Sequence, residues 1–116
     1  MPSYILFLHQ DSQRPKPSSP DELMSMRQAY MGWAERMRAE GKLKGGEKLS
    51  EDPGRVMRRK QDRVAITDGP YAETKELVGG FFILAAGDYD EACRLAESCP
   101  HLLYGGRIEV REIEPM

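Results

Sequence analysis

The sequence is poor in most of the features that announce a function. It holds two cysteines, Cys93 and Cys99, six residues apart. On one helix that spacing turns them away from each other and beyond disulfide reach, so both read as packing thiols. Neither sign of charge dominates, with 17 Lys and Arg against 19 acids and a net charge of -2. No long-range field draws in nucleic acid or an anionic membrane surface, and direct nucleic-acid binding is not expected. The longest apolar stretch, Leu77 to Gly87, is broken by glycines and falls far short of the roughly 20 residues of a membrane-spanning helix. The N-terminal residues Met1-Pro2-Ser3-Tyr4 show neither a basic region nor a small-residue cleavage site, which predicts a cytoplasmic protein.

Also missing are a phosphate-cradling glycine loop with its lysine, a Gly-x-Ser-x-Gly elbow and a Cys-x-x-Cys pair. The two histidines, His9 and His101, lie far apart and the carboxylates are dispersed without ligand spacing. No metal and no cofactor is expected.

What remains is a chain of 116 residues, 40% hydrophobic and 31% charged, long enough for one domain and too apolar for disorder. One domain over 1–116 is the expectation. Tyr4-Ile5-Leu6-Phe7-Leu8 reads as a buried strand. Residues 12–19, with Pro15 and Pro17, read as a loop. Ser19-Pro20-Asp21-Glu22 combines a capping serine, proline at the first helical position and glutamate at the third. Leu23, Met26, Tyr30, Trp33 and Met37 then mark one helical face that stops at Gly41. The Met and Trp side chains on that face read as core, not as a cofactor slot.

Residues 42–54 carry Gly45-Gly46 and Pro53-Gly54 and predict mostly loop, with at best a short strand around Glu47-Lys48-Leu49. Residues 55–60 and 63–67 predict a hairpin around Gln61-Asp62, its first strand open to solvent on one side. Residues 78–86 predict a second buried strand beside the first. Asp88-Tyr89-Asp90-Glu91 opens a second helix that Pro100 ends, and residues 107–113 alternate as a half-exposed last strand.

These elements fit an α+β, ferredoxin-like two-layer sandwich with two helices on one face of an antiparallel sheet. Leu6, Leu8, Phe81 and Phe82 cannot all face the helices, so the other sheet face needs cover. A face-to-face homodimer is the expectation.

The densest functional landmark is the segment Asp68-Gly69-Pro70-Tyr71-Ala72-Glu73-Thr74-Lys75-Glu76. Its plainer reading is turn chemistry, with the Asp68 carboxylate accepting nearby backbone amides. Its sharper reading is a mixed-charge pocket for a small molecule, using Tyr71, Glu73, Lys75 and Glu76 as ligand-binding groups.

Three functions follow. In an enzyme, Asp68 or Glu73 would orient a histidine that moves a proton near neutral pH, with His101 the first candidate and His9 the second. His9 lies on the same side of its strand as Ile5 and Phe7; its plain reading is a surface histidine, and that of His101 is a helix C-terminal cap. In a ligand-binding or regulatory module, Lys75 and Arg111 would pair with an anionic group against Tyr71, Phe81 or Phe82. In an interaction protein, the basic cluster Arg55, Arg58, Arg59, Lys60 and Arg63 would meet an acidic partner; a solvated hairpin face explains it as well.

The landmark resembles the Asp-Gly-Pro-Phe motif of the DGPF subgroup of the YCII-related family, with Tyr71 in place of phenylalanine. The resemblance extends to Gly45-Gly46-Glu47, Gly79-Gly80-Phe81-Phe82, Asp90-Glu91-Ala92, Cys99-Pro100-His101 and the run from Gly105-Gly106 to Arg111. It implies a ferredoxin-like, dimeric α/β-barrel protein and an association with extracytoplasmic-function sigma factors. Some proteins it is similar to use a histidine and aspartate pair, but the histidine-bearing first-helix pattern of that branch is absent from this sequence.

Overall fold

The computed structural model describes residues 1–11, 13, 16, 17, 19–69 and 76–116. Strand β1 (Ser3–Asp11) leads to helix α1 (Pro20–Ala39), which begins where local chemistry says it should. The Ser19 hydroxyl accepts the Glu22 amide at 3.1 Å, with Pro20 in the first turn. Its end is a Schellman motif: Gly41 takes φ 73° while the Lys42 amide reaches back to the Met37 carbonyl at 2.8 Å.

Strand β2 (Leu43–Lys48) follows at once, so the glycine-rich stretch expected to be mostly loop is instead an edge strand of six residues. Pairing supplies what composition does not. A Cβ at Gly46 would strike the Phe81 carbonyl and the Phe82 ring at 2.7 Å, so glycine is what permits the close approach of β2 to its neighbour. Strands β3 (Arg55–Lys60) and β4 (Arg63–Asp68) form the expected hairpin about Gln61-Asp62. It is exposed on both faces rather than one, with only Val56 and Ala65 half-buried.

Strand β5 (Glu76–Ala85) enters the sheet, helix α2 (Tyr89–Glu97) crosses it, a 3-10 turn spans Pro100–Tyr104, and β6 (Arg107–Ile113) closes the chain. Asp88 caps α2 by accepting the Glu91 amide at 2.8 Å, as its spacing predicted. The helix stops at Glu97, so Cys99 lies beyond it, and both cysteines are free.

The main sheet is antiparallel throughout, in the order β2-β5-β1-β6, with the β3–β4 hairpin as a separate ribbon. The described residues are thus α+β, with an antiparallel sheet and two α-helices. Tyr4, Leu6 and Leu8 alternate inward on β1 and are buried with Trp33, Met37, Leu84, Ala92, Ala96 and Cys99. Trp33 is fully buried, stacks edge-on against Phe82 and donates from its indole Nε1 to the Ser98 hydroxyl at 2.8 Å.

Leu6, Leu8 and Phe82 therefore all lie on the helix side. Ile5, Phe7, Phe81 and Ile83 are opposite one another on the other face, which no helix among the described residues covers. The protein is accordingly flat, 48 × 44 × 18 Å, with a radius of gyration of 16.2 Å. About 13 Å is usual for this length. No helix of the described residues is long and apolar enough to cross a membrane.

Candidate functional site

The uncovered sheet face carries a polar cluster at one end of an apolar strip, and strand register builds it. Ile5, Phe7 and His9 share a face of β1 by simple alternation. On β6 their direct partners are Arg111, Glu109 and Arg107. On β5 the partners are Ile83 and Phe81, and then the register slips: Leu8 pairs with Gly80 but His9 pairs with Val78. Gly79 is the extra residue, a β-bulge. Below it Val78 and Glu76 are brought to the face of His9 and Asp11, where unbroken alternation from Phe82 would have sent Glu76 toward the helices.

The His9 imidazole Nε2 lies 2.9 Å from Glu109 Oε1, and the histidine side chain is only 15% exposed. Beside this pair Arg107 Nε donates to Glu76 Oε2 at 2.9 Å. That hydrogen bond, aided by the positive charge of Arg107, holds the Glu76 carboxyl below its ordinary value of 4.5 and raises the Arg107 guanidinium in turn. The result is a histidine and carboxylate pair flanked by a neutralised ion pair, with Phe7 6.4 Å from His9 between ring centroids. Such a pair can accept and return a proton while the phenylalanine, isoleucine and valine side chains form an apolar floor. An open groove of about 1070 Å³ adjoins the cluster, bounded by Asp11, Glu76 and Val78 and by Leu23, Leu49 and Val56.

His101 is placed differently. It is 2% exposed, on the helix side, with its Nδ1 2.9 Å from the Tyr30 hydroxyl and its Nε2 2.7 Å from the His9 carbonyl oxygen. Two hydrogen bonds occupy both ring nitrogens. It lies within the 3-10 turn rather than capping α2. Asp68 ends β4, its side chain 86% exposed, and pairs with Arg55 at 3.3 Å. No contact joins it to either histidine among the described residues. Tyr71, Glu73 and Lys75 lie outside the described residues. Of the other sequence candidates, the fold brings His9, Glu76 and Arg111 onto one face, with Arg111 two pairs along β6 from Glu109.

The sequence shows Glu109 and Arg107 alternating with Arg111 on the last strand but does not mark them as site residues. Only the β1–β6 register sets Glu109 beside His9. Among the described residues no group of three or more His, Cys, Asp or Glu side chains gathers to hold a metal ion.

The family profile described as the YCII-related domain matches residues 5–116. Comparison with curated proteins returns no match.

Proposed function

Because the chain belongs to the YCII-related family, we propose that it is a small-molecule-binding protein that transfers protons with a histidine and carboxylate pair, His9 and Glu109, on the open sheet face. The 2.9 Å contact between His9 Nε2 and Glu109 Oε1, set over an apolar strip, carries the reading. Glu109 orients the imidazole and His9 exchanges the proton; Arg107, tied to Glu76, flanks the reacting end as a neutral ion pair. Tyr71, Glu73 and Lys75, which precede Glu76 in the sequence, are proposed ligand-binding groups together with Glu76 and Arg111.

The strand order suits a ferredoxin-like sandwich forming one domain over the whole chain, and the Asp68-Gly69-Pro70-Tyr71 segment suits the DGPF subgroup. A second copy laid on Ile5, Phe7, Phe81 and Ile83 would complete a dimeric α/β barrel and shield His9 from bulk water.

The test is proton exchange. A panel of small carbonyl acids is incubated with the protein in D2O and C–H to C–D exchange is followed by proton NMR. A substrate in this class loses at least ~100-fold of its exchange rate with His9→Gln or Glu109→Gln. No exchange with any member, from protein shown by light scattering to be dimeric, counts against the reading.

A non-catalytic ligand-binding or regulatory module, acting beside a sigma factor in the cytoplasm, is the alternative. The exposed hairpin supports it by offering Arg55, Arg58, Arg59, Lys60 and Arg63 to an acidic surface. A metabolite that raises Tm and is recovered unchanged would favour it.

A further inference from the structure

We infer that His101, buried on the opposite side of the sheet, is the positioning residue for His9. The inference rests on the reading of His9 and Glu109 as the working pair and names what holds that pair in place. His9 is where β1 is least regular: the β1–β5 register slips between Leu8 and His9, and His9 with Arg107 is the last pair of the β1–β6 ladder. A peptide at such a point is held by an irregular ladder on one side and by the last pair of a ladder on the other, and its side chain direction follows the peptide's tilt. The His101 ring supplies a further constraint. A carbonyl oxygen only accepts, so His101 Nε2 carries a proton and donates it to the His9 carbonyl at 2.7 Å. In the neutral ring Nδ1 then accepts from the Tyr30 hydroxyl at 2.9 Å, anchoring the imidazole to α1.

Three observations show the arrangement to be built. His101 is the only polar or charged residue in the core of the described chain. Its turn is closed by Gly105 at φ 80° and by the Gly106 amide bonding the His101 carbonyl at 3.1 Å. A Cβ on Gly106 would land on the His101 ring, so the residue leading into β6 is one that leaves room for it. The chain thus runs Tyr30 hydroxyl, His101 ring, His9 backbone, His9 ring, Glu109 carboxylate, from helix layer to open face, with no proton passing through the peptide.

The protein has only two histidines, so every His101 variant leaves His9 as the sole imidazole. The readout is the pair of His9 ring ¹⁵N shifts in long-range ¹H–¹⁵N spectra at one fixed pH. Glu109→Gln is first made in the unaltered chain; if it leaves these shifts unmoved, the working pair itself is wrong. If it moves them, the same change is made in His101→Gln, whose amide nitrogen can occupy the place of Nε2, and in His101→Asn and His101→Phe, which place no donor there. The Glu109→Gln shift is expected to persist with glutamine and to be mostly lost with asparagine and phenylalanine. Should the phenylalanine chain not fold, the glutamine and asparagine chains decide. An equal shift in all folded variants overturns the inference, and so does failure of all three to fold, which would make His101 a plain pillar of stability.

Discussion

The two faces of β1 use the same kinds of residue to different ends. Toward the helices, Tyr4, Leu6 and Leu8 are nearly inaccessible; toward the outside, Ile5, Phe7 and His9 stay only partly covered. The histidines divide the same way. His101 has both ring nitrogens committed within the protein, while His9 leans on a single carboxylate that is itself 42% exposed. Burial and engagement therefore go together: the more enclosed histidine is bonded at both ring nitrogens, and the one at the edge of water meets a carboxylate at one.

The contrast breaks most visibly at the core. Trp33→Ala should cost about 3–5 kcal/mol in urea unfolding, since it empties a fully enclosed site and orphans the Ser98 contact. Phe7→Ala should cost under about 1 kcal/mol in dilute solution, with the cost rising with protein concentration if a second copy covers that face. Equal, concentration-independent losses would erase the distinction between the faces.

Next in size is Gly106→Ala. The added methyl must displace the His101 ring, and overpacking of this kind costs about 1–3 kcal/mol. Urea melts and the His9 ring signals should change together. The smallest effect concerns acid. The Glu76 carboxyl titrates below 4.5 when folded, so the stability it lends is fully present above that ordinary value and fades as pH falls through the lowered one. Arg107→Gln should remove that part of the acid dependence, read as a flatter decline of Tm below pH 4.5; an unchanged slope would mean that the pair is thermodynamically silent.

Much of the fold is written locally. Ser19, Gly41 and Asp88 act on amides within a few residues, so the helix ends are legible without knowing the sheet. Strand β2 is not, because Gly45 and Gly46 carry no strand preference and are extended only through pairing with Phe82 and Ile83. The site divides similarly. That His9 shares a face with Ile5 and Phe7 follows from counting by two. That Glu109 meets it depends on how β6 lies along β1, and that Glu76 joins them depends on a bulge which nothing but a glycine pair hints at. His101 stands in the family-like run Cys99-Pro100-His101, which says nothing of what its ring touches.

The bulge at Gly79 makes strand length, as much as residue choice, a determinant of the surface. Deleting Leu77 with the bulge kept would put Glu76 opposite Gln10, on the helix side of the sheet. Arg107 would lose its acid and the cluster would gain a positive charge, although no charged residue had been altered. A family aligned by residue type alone would miss such a change; one aligned by count would see it as a reversal of sign.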